Sequence, residues 1–435
     1  MDFIAKPAGV GHVRLRVPGD KSVSHRSIML GSLATGTTRV SGFLPGDDCL
    51  ATLRAFRDMG VQIEEHDATT LTIHGVGLDG LQAPPGPLDL GNSGTGMRLM
   101  AGVLAGQAFD TELVGDESLS GRPMARIINP LTEMGAAIES DCDGTPPLQI
   151  SGGVRLRSID YVLPMASAQV KSCVLLAGMY ADGTTSVTEP DVTRDHTERM
   201  LRTMGAEIAS EGRQIAITGR PTLTGCNIEV PGDLSSAAFV MLAAALADDA
   251  DVLIENVGIN PTRTGVIDIL RGMGANIELE RVRKLGEEPV ADIRVQSSRL
   301  VGGTVDPALV SLAIDEFPVL FVAAAAADGE TVFSGIGELR VKESDRIAAM
   351  ATGLRSLGIR VDESDDGAVV HGGRFAGGEV DSFHDHRIAM SLSIAGTVAD
   401  GPVRVRGVDN VATSFPGFVE LLESAGASIG VEAAA

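Results

Sequence analysis

A short phrase recurs six times along the chain: RDMGVQI (57–63), TEMGAAI (132–138), RTMGAEI (202–208), RGMGANI (271–277), RSLGIRV (355–361) and ESAGASI (423–429). Each copy follows a stretch with helical periodicity and precedes an apolar/polar alternation typical of a strand. The shared glycine suits the left-handed residue that stops a helix and turns the chain. One such junction is common in any α/β protein; six at near-regular spacing point to duplication. A longer period lies above the first, because VPGDKSVSHRSIML (17–30) is echoed by VPGDLSSAAFVML (230–242). A chain of 435 residues also exceeds what one core supports. These features predict an α/β fold of two similar lobes, each of three repeated β/α units. The first lobe is expected over 21–231 and the second over 1–20 plus 232–435, with crossings near 17–20 and 230–233. A ligand site is expected in the cleft of such a pair.

Charge narrows the function classes. The net charge is −23, from 35 Lys and Arg against 58 Asp and Glu. Nucleic acid and anionic membrane surfaces both need positive protein surface, so neither is the expected partner. An anionic substrate would have to be captured by a few local cations. The four cysteines, Cys49, Cys142, Cys173 and Cys226, show neither metal-ligand spacing nor a disulfide framework. The first residues, MDFIAKPAGVGHVRL, hold no apolar core like a signal peptide, and the longest apolar stretches, such as 237–247, read as buried helices too short to span a bilayer. The expectation is a cytoplasmic protein.

Several clusters could carry chemistry. PGDKSVSHR (18–26) places Lys21, Ser22 and Arg26 at a strand-to-helix junction, where a helix N-terminus and adjacent cations suit a phosphate or carboxylate. It is not a Walker loop, since Asp20 replaces the glycine before lysine; a plain capped helix start explains it equally well. LDLGNSGTGMRLMAG (88–102) is a glycine-rich turn whose backbone N–H groups around Gly94 could cradle an anion. Arg122 follows in a polar loop, and Ser167, Gln169 and Lys171 offer donors and acceptors for a polyol. Arg194 stands at another helix start. Further on, Asp315 and Glu316 interrupt an apolar run before a helix, either as helix-start acids or with one as general base. Lys342, Glu343, Asp345 and Arg346 would on an ordinary surface helix form a solvated face. In FHDHRIAM (383–390), His384, Asp385 and His386 lack a third ligand at metal spacing, so no metal is expected.

Seven of these segments in order, PGDKSVSHR, LGNSGT, GRPM, SAQVK, KESDR, DHRIAM and TSFPGF, resemble the enolpyruvyl transferase family in its 5-enolpyruvylshikimate-3-phosphate synthase branch. GDKS, SAQVK, RDHTE and NPTRTG are similar to the subset called class II. The resemblance spans essentially the whole chain and implies two inside-out α/β lobes that close on substrate. It implies transfer of the enolpyruvyl group of phosphoenolpyruvate to the 5-hydroxyl of shikimate 3-phosphate, with no cofactor, in a cytoplasmic monomer. By the same resemblance, Lys21, Ser22, Arg26, Ser167, Ala168, Gln169, Arg194, Asp315 and Lys342 would hold shikimate 3-phosphate. Lys21, Gly94, Arg122, Gln169, Arg346 and Arg387 would hold phosphoenolpyruvate. Asp315 would be the base, and Glu343 or Lys21 the acid. Many relatives carry a lysine where this chain has Thr413, and Lys342 is the candidate replacement for that charge. The related UDP-N-acetylglucosamine enolpyruvyl transferases usually carry a reactive cysteine in the loop corresponding to 115–122, which here has none. A non-catalytic anion-binding protein on the same lobes is the alternative of another class. Glyphosate, which competes with phosphoenolpyruvate in this family, is an expected inhibitor.

Overall fold

The computed structural model describes every residue except Cys142, Ala434 and Ala435. Cys142, one of the four cysteines weighed above, thus lies outside the described residues; Cys49 and Cys173 are buried and Cys226 is partly buried.

All six repeat glycines have positive φ: Gly60, Gly135, Gly205, Gly274, Gly358 and Gly426, from 84° to 107°. Each ends a helix (Asp47–Asp58, Ala125–Glu133, His196–Thr203, Gly265–Gly272, Arg346–Ser356, Phe418–Ser424) and leads into a strand. A side chain at this φ would be strained, which explains why the same residue recurs.

The chain divides into two compact units. The first comprises Gly19–Val230 with Leu285–Glu288, and the second Met1–Pro18, Pro231–Lys284 and Pro289–Ala435. The segment Leu285–Glu288 departs from the expected lobe limits, which placed all of 232–435 together. It groups with the first unit because Glu288 lies 2.8 Å from His196 Nδ1 and the Glu287 carbonyl accepts a 2.8 Å bond from Arg199.

Among the described residues, each unit has three sheets built to one plan. In the first unit, Thr35–Ser41 pairs parallel with Asn227–Glu229 and antiparallel with Thr70–Val76, which pairs antiparallel with Gln62–Asp67. The sheets Leu88–Asp89, Thr111–Val114, Leu148–Ser151, Ala137–Glu139 and Asp160–Val162, Thr184–Thr188, Gln214–Thr218, Ile208–Glu211 repeat it. In the second unit, Asp251–Gly258 takes His12–Leu15 as its parallel neighbour. Another sheet runs Gly378–Asp381, Val403–Arg406, Asp2–Lys6, Ser428–Glu432. The third has only three strands, and isolated parallel bridges Val301↔Asp328 and Thr304↔Val332 stand where its fourth would be.

The helices that follow the parallel strands lie inside, which makes the units inside-out. Lys21–Leu33, Gly94–Leu104 and Ala168–Gly178 in the first unit are buried over most of their length, as are Leu234–Leu246, Phe317–Ala326 and His386–Thr397 in the second. Their sequences lack a broad polar face, so only an all-round packed position satisfies them. Small residues set the approach: a Cβ on Gly102 would fall 2.3 Å from the Cys173 carbonyl oxygen of the neighbouring helix. One expectation is corrected here. Pro307–Ala326 is long and apolar enough to cross a membrane by length and composition, contrary to the view that every apolar stretch is too short. It is mostly buried and broken by the 3₁₀ turn Ile314–Glu316, which places Asp315 and Glu316 in its middle.

Candidate functional site

The candidate residues collect where the central helices begin. Lys21, Ser22, Gly94, Ser167, Ala168 and Gln169 in the first unit, and Asp315 and Arg387 in the second, sit in or beside a first helical turn. A helix N-terminus offers unpaired N–H groups and a positive dipole end, both suited to anions.

In the first unit, Asp20 caps its helix by accepting from Val23 N at 2.9 Å, and Lys21 Nζ forms an ion pair with Asp48. One turn in, Arg26 is buried, donating from Nε to Thr197 Oγ1 (2.6 Å), from Nη2 to Ser172 Oγ (3.0 Å) and from Nη1 to the Ser22 carbonyl (2.9 Å). Burial pushes its pKa down to about 10, a shift that Glu198 and Asp20 oppose and Arg194 reinforces. Gly94 lies under two guanidiniums, since a Cβ there would be 3.1 Å from Arg122 Nη1 and 3.2 Å from Arg98 Nη1. Arg122 is steadied by Asn92 Oδ1 (2.6 Å) and Ser118 Oγ (3.2 Å). Arg98 donates to Gln169 Oε1 at 2.6 Å, and Gln169 Nε2 donates to Thr95 Oγ1 at 2.9 Å. The glycine-rich turn, the Arg122 loop and the start of the Ala168 helix therefore meet. Arg98 was missed by the sequence reading, although its place in GTGMR, one turn past Gly94, was the available signal. Ser167 caps the third helix, accepting from Val170 N at 3.4 Å. Lys171 is corrected: it is buried against Glu189 and Glu198 and cannot act as a polyol ligand.

In the second unit the acids and cations interlock. Asp315 Oδ1 lies 3.9 Å from Lys342 Nζ and 3.6 Å from Arg346 Nη1. Arg346, whose side chain is 1% exposed, also contacts Glu343 Oε2 at 2.5 Å and Asp385 Oδ2 at 2.8 Å. KESDR is thus no solvated face; Asp345 caps a helix whose first residue, Arg346, points into a cage of carboxylates. Burial alone would lower the Arg346 pKa, but Asp385, Glu343 and Asp315 outweigh it and hold the guanidinium above its usual range. Asp385 is likewise held below the ordinary carboxylate range: burial opposes this, and Arg346 overcomes it. Arg387 donates to the Asp315 carbonyl at 2.8 Å and lies 3.5 Å from Glu316 Oε1. A second missed residue, Arg263 of NPTRTG, is buried, donating to Ser235 Oγ at 2.7 Å and Asp233 Oδ1 at 3.1 Å. Thr413 bonds its own backbone, donating to the Asn410 carbonyl at 2.7 Å. No His/Cys/Asp/Glu cluster suited to a metal occurs among the described residues.

Paired inside-out α/β units with cations, hydroxyls and carboxylates at buried helix starts are the architecture of the enolpyruvyl transferases. The enolpyruvyl transferase NikO of Streptomyces tendae shares the fold at 18% identity, with a TM-score of 0.78 over 99% of this chain and 98% of that one. EPSP synthase (3-phosphoshikimate 1-carboxyvinyltransferase) is the sequence family that matches, over residues 10–422, and the chain belongs to it. It is 58% identical to the 3-phosphoshikimate 1-carboxyvinyltransferase of Nitrosococcus oceani over 429 residues, 99% of this chain and 97% of that protein. Similarity to the corresponding protein of Alkalilimnicola ehrlichii is also 58%, covering 99% and 96%. A solved EPSP synthase from Acinetobacter baumannii superposes with a TM-score of 0.90 at 54% identity, covering all of both chains. Membership sets aside the UDP-N-acetylglucosamine and non-catalytic alternatives.

Proposed function

We propose a division of labour for the carboxyvinyl transfer that follows from family membership. The enzyme moves the enolpyruvyl group of phosphoenolpyruvate to the 5-hydroxyl of shikimate 3-phosphate and releases phosphate. Asp315 takes the hydroxyl proton as the substrate oxygen bonds to C2 of phosphoenolpyruvate, while an acid protonates C3. The tetrahedral intermediate then loses phosphate from C2 as a C3 proton returns to the protein, restoring the double bond. The carrying observation is the Asp315 carboxylate, partly exposed and faced by Lys342 and Arg346. A carboxylate so placed can reach a substrate hydroxyl while Lys342 and Arg346 hold it in position. Glu343, which shares Arg346 with Asp315, and Lys21, paired with Asp48, are the two candidate acids.

Anion capture falls to Lys21, Ser22, Arg26, Ser167, Ala168, Gln169 and Arg194 with Asp315 and Lys342 for shikimate 3-phosphate. Lys21, Gly94, Arg122, Gln169, Arg346 and Arg387 take phosphoenolpyruvate. Fixed cations need no reorganisation as charge moves between oxygens, which supports chemistry without a metal or organic cofactor. A cytoplasmic monomer inhibited by glyphosate completes the reading. Phosphate release should require both substrates together. Release from phosphoenolpyruvate alone, at the same rate with and without shikimate 3-phosphate, would overturn the assignment.

A further inference from the structure

Lys171 lies on the helix that begins at Ala168, one turn beyond Ser167, Ala168 and Gln169. Its side chain is 1% exposed, and its ammonium faces three oxygens: Glu198 Oε1 at 2.8 Å, Glu189 Oε1 at 3.0 Å and the Thr193 carbonyl at 3.2 Å. The ammonium donates hydrogen bonds to Glu189 and the Thr193 carbonyl, and Glu198 stands beside it as an ion-pair partner. They come from a different stretch of chain. Glu189 follows the strand Thr184–Thr188, Thr193 immediately precedes Arg194, and Glu198 lies in the first turn of His196–Thr203. The Thr193 hydroxyl donates to the other oxygen of Glu189, tying the segment to itself as well. One buried cation therefore fastens both ends of the loop carrying Arg194 to the helix that presents Ser167, Ala168 and Gln169.

Stability alone does not account for this arrangement. Replacing buried ionic clusters with packed apolar groups is often neutral or stabilising, so such a cluster is weak evidence for stability and fixing geometry is the role to test. The charge count is consistent with a built device. Lys171 and Arg26 balance Glu189 and Glu198, with Arg26 bonded to Thr197 and Ser172, the residues next to Glu198 and Lys171.

We infer that Lys171 is a positioning residue for shikimate 3-phosphate: its ammonium holds the Arg194 loop in register with Ser167, Ala168 and Gln169 without touching substrate. The inference rests on the proposed substrate contacts of Arg194, and its test separates the two. Steady-state kinetics and thermal unfolding would be measured for Arg194→Ala, Lys171→Met/Glu198→Gln, Glu189→Gln, and the triple variant of the first two combined. The Lys171/Glu198 pair removes one charge of each sign, and Glu189→Gln is a milder probe that decides the matter where the pair does not fold. Arg194→Ala should raise the KM for shikimate 3-phosphate about tenfold or more, the Lys171/Glu198 pair by roughly tenfold, and Glu189→Gln by about threefold. The KM for phosphoenolpyruvate should move less than about threefold in each, and the triple variant should be no more than about twofold worse than Arg194→Ala alone. Folded Lys171 or Glu189 variants with an unchanged KM for shikimate 3-phosphate, or effects fully additive with Arg194→Ala, would reduce the cluster to a structural part. An unchanged KM in Arg194→Ala would fell the substrate reading and the inference together.

Discussion

Arg26 and Arg346 are both buried guanidiniums near the start of a helix, one in each unit, and the protein treats them in opposite ways. Around Arg26 the hydrogen-bond partners are two hydroxyls and a carbonyl, and burial depresses its pKa. Around Arg346 stand three carboxylates, and the guanidinium is held above its usual range. The echoed PGD segments differ in the same sense: Lys21 follows one, and the buried, apolar Leu234 follows the other. Duplicated architecture therefore does not mean duplicated electrostatics. The first unit gives its cation neutral hydrogen-bond partners, and the carboxylates Glu198 and Asp20 act on it through space. The second surrounds its cation with groups that can take and give protons.

The sharpest way to break this contrast is at Asp315. Asp315→Ala should lower kcat by about 10²–10⁴, the range for a positioned general base, with a smaller effect on the KM for phosphoenolpyruvate. Near-normal turnover in the folded variant would remove acid–base chemistry from the second unit. Next comes a paired substitution. Arg346→Met removes the buried guanidinium that faces Asp385, Glu343 and Asp315 and should cost about 3–5 kcal/mol in denaturant unfolding. Arg26→Met removes a desolvated charge that also offsets Glu198, and leaves Thr197 and Ser172 bonded to each other; it should cost less, about 1–2 kcal/mol, while the KM for shikimate 3-phosphate rises. Equal losses of stability would show that the two sites are electrostatically alike.

A smaller effect is expected at Gly94, where a methyl would press on Arg122 and Arg98. Overpacking of this kind costs about 1–3 kcal/mol, or roughly 5- to 150-fold in affinity. Gly94→Ala should raise the inhibition constant of glyphosate, which is longer than phosphoenolpyruvate, more than it raises the KM of the substrate. Equal shifts in the two constants would refute the steric argument, and a wild type insensitive at millimolar glyphosate would place tolerance elsewhere. The mildest test uses pH. The depressed pKa of Asp385 means that its contribution to stability is present above the unfolded carboxylate value and is lost as pH falls through the folded one. The stability difference between wild type and Asp385→Asn should therefore shrink below about pH 4, by at most about 1.4 kcal/mol per pH unit. A constant difference down to pH 3 would show that Asp385 gains nothing from Arg346.

The repeat plan was legible because it rests on local chemistry: a glycine at positive φ leaves the same mark wherever a helix turns into a strand. Candidate ligands such as Lys21, Gly94 and Asp315 were legible because family motifs sit at helix starts. Lys171 was misread for the opposite reason. Its neighbours in sequence are small and polar, while the glutamates that bury it come from a loop that only the fold brings near. Arg98 and Arg263 escaped in the same way, since an arginine in a helix or a turn acquires meaning only from partners distant in sequence.

The pairing of the chain's first strands bears on how the polypeptide is made. Asp2–Lys6 occupies an interior place in its sheet, between Val403–Arg406 and Ser428–Glu432, and His12–Leu15 waits for Asp251–Ile254. At a ribosomal pace of about 5–20 residues per second, His12–Leu15 remains without its partner for roughly 10–50 s, and Asp2–Lys6 for roughly twice as long. The first unit, contiguous from Gly19 to Val230 apart from Leu285–Glu288, emerges with nearly all its strands during that interval. Asp2–Lys6 and His12–Leu15 are thus among the last strands to find their partners, and the nascent molecule carries both unpaired while more than 200 further residues are added.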